Sequence, residues 1–286
     1  MSEQNPTPLR FSIITPSFCS GRWLKLCIAS VADQEGVEFE HIVQDSCSDD
    51  ETRDWLATDP RVTAVIEKDT GMYDAVNRGF RRATGDILAY LNCDEQYLPG
   101  ALKKVADYFK IHPEVDVLLA DTIVVDSEGE YLCERRSLRP QLIHTLVGTT
   151  LSFFTAGLFL RRSALEKKSL YFDTKWRALG DAEWALRAIR SGVHFGVLRE
   201  FTSAFTDTNA NMSLLPAARE ECRALRGAAP WWMRKTAKFW VLHYRLRRLL
   251  AGLYLTRPYD YAIYTCQTPM ERQFFHVEKP TARWHR

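Results

Sequence analysis

The chain has 286 residues, about two typical domain lengths, with 46% hydrophobic and 26% charged residues. That balance excludes a globally disordered chain, and no apolar run reaches the ~18 residues expected of a membrane-spanning helix. The polar N-terminus MSEQNPTPLR lacks the apolar stretch of a secretory signal. Seven scattered cysteines, with no CxxC, argue against a disulfide framework or zinc ribbon and for reduced cytosolic thiols. The net charge of +2 hides an asymmetry. Residues 1–221 carry 25 Lys and Arg against 33 Asp and Glu, whereas 222–286 carry 13 against 3. An acidic body with a basic tail predicts two roles, one of them at an anionic partner or surface.

Strands are predicted over 10–15, 39–44, 62–66, 87–91 and 115–125. Helices are predicted between them over 23–33, 49–57, 73–82 and 100–110. This βαβα alternation predicts an α/β fold with a mainly parallel sheet and helices on both faces. Ligands of such sheets bind beyond the carboxyl ends of the strands. The site is therefore expected near 15–17, 45–48, 69–71 and 92–95. Further on, strands are predicted over 130–134, 153–160 and 193–198, and a helix over 181–190.

Several strand ends carry chemistry. Asn92-Cys93-Asp94-Glu95 follows the apolar ILAYL, so Asp94, with Glu95 beside it, offers hard oxygens to Mg²⁺ or Mn²⁺. Read without context, the pair is a solvated acidic turn. Asp69-Thr70-Gly71 precedes a helix whose amides can face an anion, or it is simply a capped turn. Asp45 precedes Ser46-Cys47-Ser48-Asp49-Asp50, where its carboxylate accepts from a nucleobase or ribose, or caps a turn.

These segments, with Thr15-Pro16-Ser17 before them and Gly180-Asp181-Ala182-Glu183-Trp184 after, occur in order. Together they resemble family 2 glycosyltransferases of the inverting, GT-A-fold kind over roughly 9–210. The resemblance implies a nucleotide-diphospho-sugar donor, a divalent cation (Mn or Mg) and a glycan or lipid-linked acceptor, in surface polysaccharide biosynthesis. It places Thr15, Pro16, Ser17, Asp45 and Asp69 at the nucleotide. Asn77, Asn92 and Cys93 fall at the donor sugar and diphosphate, and Asp94, with Glu95 beside it, at the metal. Asn92 and Glu95 depart from the family's usual aspartates. Asp181 matches the general base, with Glu183 in reserve; two residues apart on a helix, they cannot both face one substrate. His144, His194 and the core stripe at Trp184 are read as structural.

The implied organisation is a flexible N-terminus over 1–8, a catalytic domain over 9–215 and a basic, aromatic helical extension over 216–286. The nucleotide half of the domain covers about 9–125 and the acceptor half about 126–215. Residues 222–259 contain no Asp or Glu. Their helical projection predicts lipid contact through Trp232, Trp240, Lys235, Arg245 and Arg248, at the inner face of the cytoplasmic membrane. The alternative is a helix packed on the body. No nucleic-acid partner is expected. Two other functions stay open: a sugar-nucleotide-binding protein without turnover, and, ranked lower, a nucleotidyltransferase, which would favour a glycine-rich loop after strand one.

Overall fold

A computed structural model describes residues 8–148, 151–208 and 216–283. All but the last residue of the segment read as a flexible N-terminus, and most of the polar boundary segment 206–213, lie outside the described residues. Strand β1 (Arg10–Ser17), helix α1 (Gly21–Ala32), β2 (Glu38–Asp45), α2 (Thr52–Leu56), β3 (Thr63–Ile66), α3 (Met72–Arg82) and β4 (Ile87–Tyr90) alternate. Their strands form a parallel array in the order β3-β2-β1-β4. Helix α2 starts later than expected, at Thr52, whose amide donates to the Asp50 carboxylate at 3.0 Å ahead of the helix.

The chain continues through β5 (Glu95–Tyr97), α4 (Ala101–Ile111), β6 (Val117–Val125), β7 (Tyr131–Arg135) and α5 (Leu142–Gly148). It then forms β8 (Leu158–Arg161), α6 (Arg162–Lys168), α7 (Gly180–Arg190) and β9 (Phe195–Thr206). Strand β8 lies antiparallel between β4 and β6, β9 runs parallel to β6, and β5 and β7 add antiparallel pairs. The sheet is thus mixed and mostly parallel in its first half. The predicted strand over 153–160 is shortened by a 3-10 turn at Thr155–Gly157. There Gly157 lies so close to the carbonyl of Ala120 that a Cβ would approach it to 2.6 Å.

Successive residues of a strand face opposite sides of its sheet. In β1, Ile13 packs with Cys27, Leu102, Val105 and Phe109 beneath α1 and α4. Its neighbour Ile14 packs with Val76, Phe80, Phe172 and Trp184 beneath α3 and α7. Burial on both faces explains why this strand reads as a continuous apolar run. Helix α3 settles onto β1 through Gly79, where a Cβ would sit 2.4 Å from the Ile14 side chain.

The tail forms α8 (Pro216–Gly227), α9 (Trp231–Lys235), α10 (Ala237–Leu250) and a hairpin of β10 (Tyr259–Ile263) and β11 (Gln273–Val277). The hairpin has no counterpart among the predicted strands, because its two strands are separated by nine residues without a tight-turn signal. Its Tyr261, Ile263 and Val277 pack against Ile123, Val125 and Ala204 of the sheet. Arg272 fixes it further through a bidentate pair with Asp33 at 2.6 and 2.7 Å.

Two of the expected lipid-facing residues are placed otherwise. Arg248 is only 6% exposed, donates to the carbonyl of Arg136 and lies over Tyr244 and Tyr254. Trp240 is half-buried and donates its indole N–H to Thr236 at 2.9 Å. The projection failed because the carbonyl of Arg136 and the two tyrosine rings draw the guanidinium inward. Trp232, Lys235 and Arg245 are exposed.

Because α3 approaches β1 at Gly79, Gly79→Val is expected to destabilise the protein by about 1–3 kcal/mol through overpacking. Chemical denaturation of the two proteins measures it; an unchanged midpoint would contradict this packing.

Candidate active site

A cleft of about 810 Å³ opens at the carboxyl ends of the parallel strands. Its floor starts at the tip of β1, where Pro16 and Ser17 line it, together with Phe18 and Ser46. The Ser17 hydroxyl is buried without a hydrogen-bond partner, an unsatisfied group on a cleft wall. Asp69 lines the same wall and accepts the amide of Gly71 at 2.8 Å. Gly71 has φ +133°, a conformation open chiefly to glycine. Arg177 donates to the carbonyl of Thr70 beside it and locks the turn.

Asn92, Cys93, Asp94 and Glu95 come next, where the chain leaves β4 and folds back into β5. Burial raises the Asp94 carboxyl to about 6. Among the described residues no basic side chain pairs with it. Glu95 is fully turned inward and accepts from the backbone and side-chain amides of Asn92 at 2.9 and 3.1 Å. Burial, then the charge of Asp94, pushes it up to about 8. Asn92 Oδ1 is left buried and unpaired. The Cys93 thiol is pushed up to about 12, chiefly by burial.

No cluster of three or more His, Cys, Asp or Glu side chains forms a complete metal cage among the described residues. The donor set present still fits a hard divalent cation that takes most of its oxygens from elsewhere. It consists of one half-buried carboxylate without a basic partner among the described residues and one orphaned amide oxygen. The remaining ligands would come from a bound diphosphate and water.

Across the cleft, Asp181 stands in the first turn of α7. Its carboxyl is raised to about 6, mainly by burial, against the lowering effect of its hydrogen bond from the amide of Ala182. Its own amide donates to the Tyr73 hydroxyl at 3.2 Å. Gly180 permits this, since a Cβ there would fall within 2.5 Å of the Tyr73 ring. The approach to α7 is held from the tail. Glu221 of α8 accepts the amides of Arg177, Ala178 and Leu179 at 2.6, 2.9 and 2.7 Å.

Asp69, Asp94 and Asp181 therefore open onto one cavity, with Pro16, Ser17, Asn92, Cys93 and Glu95. Four other candidates do not line it. Thr15, two residues short of the strand tip, is fully buried and bonds to His41 at 2.8 Å and to Cys27 at 3.6 Å. Asp45 turns back to accept both the amide and the hydroxyl of Ser48 at 2.8 and 2.6 Å, which is the turn-capping role. Asn77 exchanges two hydrogen bonds with the backbone of Phe172, both at 2.8 Å. Glu183 pairs with Arg187 one turn along α7, on a different stripe from Asp181. His144 bonds to His243 on α10, and the side chain of His194 is largely exposed; neither lines the cleft.

Sequence reasoning missed several cleft groups. Lys68 and Arg135 are the basic side chains on its wall. Lys68 lies 4.9 Å from the Phe18 ring, and Arg135 5.4 Å from that of Phe154. Lys68 had a signal, since it immediately precedes Asp69 at a strand end. Arg135 and Glu221 had none, because tertiary contacts alone bring them here.

A model of glycosyl transferase family 2 matches residues 12–169, more than half of the chain. A PGL/p-HBAD biosynthesis glycosyltransferase of Mycobacterium bovis is 31% identical over 187 residues, covering 62% of this chain and 68% of that protein. An uncharacterized glycosyltransferase of Nostoc is 25% identical over 185 residues. That match covers 60% of this chain and only 57% of the Nostoc protein. Among solved structures, S. aureus TarS 1-349 in complex with UDP-GlcNAc aligns with a TM-score of 0.62 at 21% identity. It covers 76% of this chain and 64% of that one, a likeness of fold. The family match, over the strands whose tips build the cleft, shows that the chain belongs to glycosyl transferase family 2.

Proposed function

We propose that this enzyme moves a sugar, with inversion, from a nucleotide-diphospho-sugar to a glycan or lipid-linked acceptor in surface polysaccharide biosynthesis. One observation carries the reading: Asp94 and Asp181 line a single cleft, and burial raises both carboxyls to about 6. The TarS complex with UDP-GlcNAc supports a nucleotide-sugar donor. The mycobacterial relative, and a Bacillus subtilis relative named for teichuronic acid biosynthesis, 33% identical over 102 residues, support the biosynthetic setting. The Bacillus match covers 34% of this chain and 40% of that protein. A cytoplasmic site of action belongs to the same proposal.

Inversion requires an acceptor hydroxyl to attack the anomeric carbon in line with the departing diphosphate. A neutral hydroxyl is a weak nucleophile, so a carboxylate must take its proton. Asp181 fits, because a base with a pKa near 6 is ionised at neutral pH yet still basic enough to accept a proton. Tyr73 and Glu221 keep its helix end in place. On the donor side, Ser17, Ser46 and Asp69 offer polar groups to the nucleotide, and Lys68 offers positive charge to its phosphates. Asp94, with Asn92 Oδ1, would hold a divalent cation; bound there, it would offset the charge growing on the leaving diphosphate.

The base assignment fixes the pH dependence. Activity at saturating substrates is expected to rise through about pH 6 as Asp181 ionises, and Asp181→Asn to lower kcat by roughly 10²–10⁴. Stability moves oppositely. The folded pKa lies above the ~3.9 of an unfolded aspartate, so the stability linked to this proton is present below pH ~4 and lost through about 6. Asp181→Asn should therefore raise Tm at pH 7 while removing activity. A variant with unchanged kcat would end the assignment.

Asp94→Ala should abolish the Mn²⁺-dependent part of the thermal stabilisation by UDP-, GDP- or dTDP-sugars. In the parent protein, ligand at ~100 times its Kd is worth about 2.7 kcal/mol. An Asp94→Ala protein still stabilised by donor only when Mn²⁺ is present would place the cation elsewhere.

Glu221→Ala removes the one carboxylate that accepts three amides ahead of α7, at a residue that does not line the cleft. It is expected to lower kcat by about tenfold through misplacement of Asp181, and to leave donor-induced thermal shifts unchanged. Equal loss of donor stabilisation would show a general structural defect instead.

A further inference from the structure

Helix α10 is arranged inside out for a protein surrounded by water. Its inward side carries Tyr244 and the 6%-exposed Arg248. Its outward side carries Leu242, Leu246 and Leu249, which are 64%, 48% and 61% exposed. At ~100° per residue these three leucines fall within about 60° of one another, on the side away from Arg248. Phe239 and Leu250 extend the same surface, both largely exposed. No described residue covers it. Singly exposed leucines are ordinary, but a continuous stripe of them marks an interaction surface.

The charges around the stripe say what would cover it. Lys238 and Arg245 flank it along the helix, and Arg234 and Lys235 stand exposed on α9. The whole stretch 222–259 lacks Asp and Glu. A second copy packed through this face would set these cations against their own counterparts. An anionic lipid surface instead accepts the leucines among its acyl chains and the cations at its phosphates. The helix is too short to cross a bilayer: among the described residues none is long and apolar enough to do so. Contact along its length is the arrangement that remains.

We propose that the outward face of α10, centred on Leu242, Leu246 and Leu249 and flanked by Lys238 and Arg245, docks the enzyme flat onto anionic lipid. This differs from the surface expected from sequence, since Arg248 serves the protein interior and Trp240 is tied to Thr236. The docked helix is coupled to the catalytic body. His243 of α10 bonds to His144 of α5 at 3.0 Å, and Leu146 and Val147 of α5 pack on Ala182 and Leu186 of α7, the helix that carries Asp181. The inference stands apart from the identity of donor and acceptor, so lipid binding and sugar transfer can fail separately.

Co-sedimentation of the full chain with phosphatidylglycerol–phosphatidylcholine vesicles, against pure phosphatidylcholine vesicles, tests it. The parent protein is expected to pellet with the anionic vesicles and to stay in solution with the neutral ones. Leu242→Ser/Leu246→Ser/Leu249→Ser should weaken binding at least about tenfold, with Tm and the donor-induced thermal shift retained. Lys238→Gln/Arg245→Gln, which leaves every leucine in place, should weaken it about as much on anionic vesicles only. Absence of pelleting by the parent, equal pelleting of parent and variants, or binding indifferent to lipid charge would overturn the proposal. So would a parent dimer, seen by sedimentation velocity, that the serine variant disperses without any lipid binding.

Discussion

The account depends on holding a carboxyl group in a place where water solvates it poorly. Asp181 stands at the first turn of α7, and the chain before it would leave several amides without partners. Those amides are satisfied from two distant places, the Tyr73 hydroxyl on α3 and the Glu221 carboxylate on α8. Glycine at position 180 is required because the Tyr73 ring occupies the space a side chain would fill. The aromatic stack of Tyr73 on Phe172, at 5.0 Å, carries this constraint into the core. A carboxyl group placed in this way is raised in pKa by burial and held in position by its neighbours.

The opposite wall of the cleft uses a second form of the same economy. Asn92 gives two hydrogen bonds to Glu95, while its Oδ1 stays buried without a partner and Asp94 has no basic partner among the described residues. A protein that leaves buried oxygens unsatisfied stores a demand for a cation or a donor group. The departures from the usual acidic motif, Asn92 and Glu95, are therefore not independent losses. They form one local unit that presents a single carboxylate.

Much of the parallel half of the sheet was legible because its strands are apolar runs separated by helical periodicity, and that pattern is local. The position of the cleft followed from topology alone, since parallel strands present their tips together. Side-chain direction was not legible. Thr15 and Ser17 share a face of β1, yet Thr15 is held by His41 and Cys27 while Ser17, the last residue of the strand, reaches the cleft. Asp45, a ligand group by residue type, and Asn77, placed at the donor by the family resemblance, are consumed by Ser48 and by the backbone of Phe172. The short β5, the hairpin and the role of Glu221 rest on pairings across long sequence separations, for which one sequence holds no signal. In α10 the projection could not foresee that Arg248 would turn over Tyr244 and Tyr254 or that Trp240 would bond to Thr236.

The most direct test of the shared cleft is a crystal structure of the protein with Mn²⁺ and whichever nucleotide-sugar stabilises it most. The account predicts the diphosphate beside Asp94 and Lys68, with the anomeric carbon turned toward Asp181 across the cavity. A donor bound outside this cleft, or with its anomeric carbon facing away from Asp181, would contradict it.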